Sequence, residues 1–450
     1  MSAIQNRSAV DIWERMAIEF RMGGTTMNLI LGGGRIIDGL GGELKCGTLV
    51  IEGQVIKEVV EGEDYPAKDG FARIDCRGKT VMPGLIDVHV HVSGGDVVPG
   101  LDDFRASRRL DEPLVMHAFR SLEAAQRALR AGFTTLRDMS ARDFVDVHLR
   151  NAAQENLVVA PRLICSGPGI TMTGGHVWQK CIQVDGPQEI RKEIRRQIRE
   201  GADWIKIMGV TGGTASGQDI RRTQFTQDEI TAAVEETHRL GRRCAAHVHG
   251  LQGIAFCIEA GMDTVEHGTF LDEGQAEKMC ARGIYLVPTL LVSFARRQGT
   301  NDPALRKKDE GLQRMGIRIP EPEERMALAR KCGVKVLAGS DCGGSTRAIF
   351  GNQGMELYCL TRCGFTNMEA IVSATGLAAE AMGLADTVGS IRPGRMADLL
   401  IVDGNPLEDV TVLTPQNSRI QTVIKDGKIV CRDLEGNGQS PLAILMRPEP

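Results

Sequence analysis

Residues 226–268, TQDEITAAVEETHRLGRRCAAHVHGLQGIAFCIEAGMDTVEHG, state one pattern twice: a stretch of helical apolar period, a glycine, then a short β-prone run that ends in histidine. The first unit opens with Thr226 and, three residues on, Glu229, the signature of a capping box. Its strand, RCAAHVH, carries His247 and His249, and the next, MDTVEHG, carries His267. The same alternation runs outward on both sides. EPLVMHAFRSLEAAQRALRAG precedes FTTLRDM, and GPQEIRKEIRRQIREG, with Pro187 at a helix start, precedes ADWIKIM. Downstream, DEGQAEKMCARG leads into IYLVPTL, and EPEERMALARKCG into VKVLAGSD. Helix and strand repeated this often predict an α/β fold of parallel strands closed into a (β/α)8 TIM-like barrel over residues 83–387.

The flanks have a different texture. NLILGGGRIIDG, GTLVIEGQVIKEVV and RIDCRGKTVMPG are short β-branched runs between glycine turns, read as antiparallel strands, and the same texture returns in GSIRPGRMADLLIVDG and RIQTVIKDGKIVCRD. Residues 27–82 and 388–435 are therefore expected to assemble one small β-sandwich domain from both ends of the barrel. Residues 1–26 are read as a helical N-terminal extension and 436–450 as a C-terminal tail. The glycines Gly32–Gly34 lack the lysine and Ser/Thr of a phosphate loop, so they are read as turn chemistry.

Composition narrows the partners. The formal charge is -4 over 450 residues with acids and bases interspersed, which gives neither a basic stripe for nucleic acid nor a polybasic membrane patch. Small-molecule substrates are expected. Twelve cysteines without a CxxC motif suit reduced thiols, and no segment is long and apolar enough to span a membrane, so a cytoplasmic location is expected.

In a barrel of parallel strands, chemistry gathers at the carboxyl ends of the strands. His89 and His91 end LIDVHVH, Lys206 lies at the end of DWIKIM, His247 at the end of CAAHV, His267 ends TVEH and Asp341 ends VLAGSD. Alternate strand residues share a face, so His89 and His91 can chelate one ion. Four imidazoles, a carboxylate and a lysine make an inventory for divalent metal, with zinc expected. The lysine is the odd member, because an ammonium repels metal cations. Reaction with carbon dioxide would convert it to a carbamate (N6-carboxylysine), an anion able to bridge two metals. The alternative for Lys206 is a salt-bridged interior lysine. His117, His148 and His238, by contrast, fall on predicted helices and read as ordinary hydrogen-bonded residues.

Taken as an ordered set, PGLIDVHVH, the GGH at 174–176, DWIKIM, AHVHG, VEHG, AGSD and the closing GSIRPGRMADLLIVDGNPL resemble the amidohydrolase superfamily. The similarity is to its binuclear-metal branch of Xaa-Pro and Xaa-Arg dipeptidases, ochratoxinase-like proteins and imidazolonepropionase-related proteins, and it covers Met27 to Asp433. The resemblance implies that His89 and His91 hold the more buried metal with Lys206 and Asp341. It implies that His247 and His267 hold the second with Lys206, and that Asp341 shuttles protons. Two departures fall in loops: GGHV where relatives often have GGHG, and GVTGGTASG where they often have ATGGV.

The expected activity is metal-dependent hydrolysis of a C–N bond in a dipeptide or N-acyl amino acid by a metal-bridging hydroxide, with Asp341 as general base and then acid. His176 and His249 are left over from the ligand set. They are candidate catalytic and substrate-binding residues, one for the oxyanion and one for a substrate carboxylate, or else supports of the metal ligands. Arg221 and Arg222, in the loop after Lys206, are candidate carboxylate anchors, against the plainer reading of a solvated loop. Neutral amides, carbamates, ureas or cyclic amides are the alternative substrates. A non-catalytic metal-stabilised scaffold is a third reading, disfavoured because a structural site needs no bridging lysine. A homo-oligomer is expected from similar proteins.

Overall fold

The computed structural model describes residues 28–63, 65–98, 104–212, 219–297, 310, 313 and 315–432, so the expected extension 1–26 and tail 436–450 lie outside the described residues. Five strands open the chain: β1 (Asn28–Ile37), β2 (Glu43–Glu52), β3 (Val55–Glu61), β4 (Phe71–Asp75) and β5 (Lys79–Pro83). A parallel series follows: β6 (Leu85–Val90), β7 (Phe133–Asp138), β8 (Arg162–Cys165), β9 (Ile170–Thr171), β10 (Ile182–Gln183), β11 (Trp204–Ile207), β12 (Arg243–Val248), β13 (Thr264–His267) and β14 (Tyr285–Val287). The chain then returns with β15 (Leu399–Asp403), β16 (Ile420–Lys425) and β17 (Lys428–Arg432).

Strands from both ends meet in one eight-stranded sheet, ordered β17-β16-β15-β5-β1-β2-β3 with β4 against β1. The seam is antiparallel pairing of β15 with β5, from Leu399 opposite Pro83 to Asp403 opposite Lys79. Leu29, Leu31, Leu49, Ile51, Val81, Leu399 and Ile401, alternate residues of neighbouring strands, pack into one apolar cluster. Two expectations are corrected here. β4 and β5 run parallel to β1, not antiparallel, because the chain comes back to β1 only after β2 and β3 and then runs along it through β4, residues 76–78 and β5, while β5 is antiparallel to β15. Gly32–Gly34 are not a turn: they lie inside β1, where the register against β2 shifts between Leu31 and Gly34 as in a bulge.

Among β6 to β14 every pairing is parallel, in a three-stranded sheet β6-β7-β8 and a six-stranded sheet β10-β9-β11-β12-β13-β14. Single contacts link the two. The Asp203 amide donates to the Cys165 carbonyl at 2.7 Å. The segment 334–342 bridges Leu286 through Val336 on one side and Val90 through Cys342 on the other. All residues of β6 and β7 are buried, as expected of parallel strands covered on both faces. The covering helices are the predicted ones. Leu114–Arg130 buries Ala124, Ala125, Ala128 and Leu129 on one face, and Gly186–Arg199 buries Ile190 and Ile194. The helix Gln227–Arg239 starts from the full capping box, with the Thr226 hydroxyl accepting from the Glu229 amide and the Glu229 carboxylate accepting from the Thr226 amide. All twelve cysteines are free thiols. Among the described residues, no helix is long and apolar enough to cross a membrane.

Candidate metal centre

Parallel strands place their last residues on one rim, and the polar residues expected there do meet. His89 lies in β6 and His91 just beyond its end; Asp341 ends the segment that bridges to β6. Potential ligand atoms of these three lie within 4.8 Å of one another. The nearer Asp341 oxygen is 3.2 Å from His91 Nε2 and 3.7 Å from His89 Nε2. Glycine makes this approach possible. A Cβ on Gly343 would lie 2.2 Å from the His91 carbonyl oxygen, and one on Gly339 would lie 2.8 Å from the His89 Cβ.

From this trio the imidazoles continue in a chain of ring contacts. His267 lies 5.3 Å from His89 by ring centroids, and His247 lies 4.4 Å from His267. His249 is 4.7 Å from His247, and His176 stacks on His247 at 4.3 Å. Six of the nine histidines of the chain thus form one cluster. The Nδ1 atoms of two of them are fixed by hydroxyls, His267 by Thr289 at 2.8 Å and His249 by Thr269 at 2.7 Å. Backbone strain collects at the same rim: His267, Thr289 and Asp341 have φ of 69°, 49° and 58°, in the left-handed region that costs non-glycine residues about 1–3 kcal/mol each.

Two residues not singled out from sequence hold the cluster from below. Glu266, fully buried, accepts from His89 Nδ1 at 2.6 Å and from the Arg137 guanidinium at 2.9 Å. Arg137 is equally buried, donates to Thr264 Oγ1 at 3.2 Å and lies over the Trp204 ring. Burial alone would raise the Glu266 carboxyl, but the charges of Arg137 and His89 outweigh it and hold the group well below the usual carboxylate range. The signal was present in the sequence: a charged residue inside an apolar parallel strand needs a partner.

The electrostatics suit cation ligation. Burial lowers His89, His247 and His267, and brings His91 down to about 3, so all four imidazoles are neutral with lone pairs to give. Burial opposes ionisation of Asp341, yet its hydrogen bond to His91 and the attraction of the imidazoles and of Lys206 around it hold it at about 2. Lys206 is fully buried, and its Nζ has no hydrogen-bond partner. Burial brings its amine down to about 8, partly offset by Glu266. His91 Nδ1 and His247 Nε2 are likewise buried without partners. Buried polar atoms are nearly always satisfied, so the unpartnered Lys206 Nζ and His247 Nε2 fit a site completed by bound cations, with His91 facing Asp341 through its other nitrogen, Nε2.

Arg221 and Arg222 lie in the loop that packs against Gly250, next to His249. Both are exposed, and Arg221 is engaged with Asp219, its Nε and Nη2 donating at 2.9 and 2.8 Å.

Comparison with known proteins gives a consistent result. The Amidohydrolase family profile matches residues 80–430. Ochratoxinase of Aspergillus niger is 29% identical over 434 residues, covering 89% of this chain and 86% of its own length. A solved Xaa-Pro dipeptidase with bound methionine in its active site superposes with a TM-score of 0.77 at 30% identity, over 89% of this chain and 99% of that one. A prolidase complexed with N-methylphosphonate-L-proline gives 0.78 at 32% identity, over 90% of this chain and 100% of that one.

Proposed function

The chain belongs to the amidohydrolase family, and on that footing we propose that it hydrolyses the C–N bond of a dipeptide or N-acyl amino acid. The observation that carries the reading is Lys206: a fully buried amine with no hydrogen-bond partner, beside four neutral imidazoles and an ionised carboxylate. Nothing in a plain salt-bridged interior would leave it so. In this reading the parallel strands and segment 334–342 close into a (β/α)8 barrel over 83–387, capped by a β-sandwich domain from 27–82 and 388–435.

His89, His91, Asp341 and Lys206 as its carbamate would hold one divalent cation, and His247, His267 and the same carbamate a second, with zinc favoured by this nitrogen and oxygen donor set. When bound, the cations supply Lewis acidity toward the scissile carbonyl and a water acidic enough to attack at neutral pH. The protein's own groups do the rest. Asp341, ionised at neutral pH, takes a proton from the attacking water and returns it to the leaving nitrogen. Glu266 and Thr289 fix the rings of His89 and His267 through Nδ1, which turns Nε2 of each toward the site. His249 and His176, packed on His247, serve the substrate's oxyanion.

The reading is checked with zinc- and bicarbonate-loaded protein on a panel of N-acyl amino acids and dipeptides, each beside its carboxyl-blocked amide. Cleavage is expected of the free acids, and chelation is expected to remove it by more than about 100-fold, reversibly on reloading. Cleavage of the neutral members alone would replace the peptidase reading with that of a carbamate, urea or cyclic-amide hydrolase. His249→Ala is expected to lower kcat by about 10²–10³-fold with metal content unchanged, the range for losing one oxyanion donor. An unchanged kcat and KM in that variant would remove His249 from the chemistry.

A further inference from the structure

Next to the chain segments that follow His91 and Asp341 lies a small cleft whose charge balance is unusual. Its lining includes Ser93, Asp96, Arg108, Ser140, Arg142 and Lys180. Among the described lining residues three cations face one carboxylate, and that carboxylate is committed elsewhere: Asp96 pairs with Arg127 at 2.8 Å and accepts from the Phe350 amide at 2.8 Å. Arg142 is engaged with Asp143 and with the Glu112 carbonyl. Arg108 donates to the carbonyls of Gly343 and Gly344, two and three residues after Asp341, which ties its positive charge to the loop that carries that residue.

Lys180 is different. Among the described residues, its ammonium makes no ion pair and no hydrogen bond, although the side chain is mostly buried. The two carboxylates whose charges reach it are both occupied. Asp138 accepts from the Val92 and Ser140 amides at 2.8 and 3.0 Å, and Asp341 faces the histidines. The Lys180 charge is also felt at His91 and at Lys206, which puts it within electrostatic reach of the reacting centre. It sits in the tight turn Trp178–Lys180, four residues after His176, on a segment pinned by the His176 amide bond to Gln224 at 2.9 Å. A mostly buried cation without a counterion, held rigidly in a cleft that adjoins a hydrolytic site, is short of an anion.

We propose that Lys180, backed by the positive field of Arg108, binds the free carboxylate of the substrate and thereby sets the preference for acids over amides. This rests on the amide-hydrolase reading and assigns the anchor to this cleft instead of to the exposed Arg221 and Arg222. Burial and the neighbouring Arg108 bring the Lys180 ammonium down to about 8, a penalty that a bound carboxylate relieves. The leaving group's carboxylate is thus held on the His91 and Asp341 side, where Asp341 must deliver its proton to the nitrogen next to it.

The test compares wild type, Lys180→Met and Lys180→Arg, all metal-loaded, by calorimetric binding of L-methionine and L-proline, each against its carboxamide. Wild type is expected to bind each free amino acid about 10- to 100-fold more tightly than its amide, the range for a charge-assisted hydrogen bond. Lys180→Met is expected to abolish that ratio at unchanged metal content, and Lys180→Arg to keep most of it. A ratio that survives in Lys180→Met, or no preference in wild type, overturns the assignment. Hydrolysis is measured in parallel on the panel above: the binding ratio present without cleavage of any free acid would retain the subsite and sink the peptidase reading, so the two failures are distinct.

Discussion

Lys206→Ala is expected to lower kcat/KM on any accepted free acid by more than about 10³-fold and to leave the protein unable to retain both divalent cations. The side chain is fully buried with no hydrogen-bond partner, so its removal breaks no bond of the fold and leaves only a cavity. What is lost, on the proposed reading, is the group that would hold both cations as its carbamate. Lys206→Arg sharpens the experiment, because it retains a cation of similar reach that cannot form the carbamate, and it is expected to be equally inactive. Metal content, far-UV circular dichroism and turnover are read together. An alanine variant that stays folded, keeps both cations and turns over normally would return Lys206 to a role in packing.

Glu266→Ala is expected to cost about 3–5 kcal/mol of stability, the largest loss to the fold from a single side chain near the site. Glu266 and Arg137 are both fully buried and lie 2.9 Å apart, so truncating the acid leaves a guanidinium in the interior with its charge uncompensated. Glu266→Gln separates two effects. It keeps acceptor geometry toward Arg137 but removes the charge that orients His89, and zinc affinity is expected to fall by about 10- to 100-fold. A urea midpoint and a zinc titration on both variants check this. Equal affinity in Glu266→Gln and wild type would confine the residue to supporting Arg137.

Much of this was legible in the chain because the signals are local. Thr226 with Glu229 states a helix start within four residues, and the capping box forms as written. Strand ends were legible too, since glycine-bounded β-prone runs place His267 at the last residue of its parallel strand and His247 one residue before the end of its own. Pairing was less so. Whether β4 and β5 run with or against β1 depends on contacts over forty residues of sequence, and nothing in RIDCRGKTVMPG encodes the direction. Gly32–Gly34 read as a turn because a bulge inside a strand and a turn between strands ask for the same residue. Lys180 escaped notice since it lies in a turn with no periodicity, and its meaning comes from missing counterions that only the packed chain reveals.

The eight-stranded sheet carries a consequence for how the protein is made. β1, β2 and β3 leave the ribosome first, yet β5 gains its antiparallel neighbour only when β15 appears more than three hundred residues later. At ~5–20 residues per second, the nascent chain holds β5 with an open edge for tens of seconds while the helices and parallel strands between are still emerging. Such an edge invites pairing with another chain. A release of the polypeptide before β15 to β17 would leave every proposed metal ligand already synthesised, from His89 to Asp341, but with that edge permanently bare. Truncated translation products are therefore predisposed to aggregate through β5 even though they carry the whole ligand set.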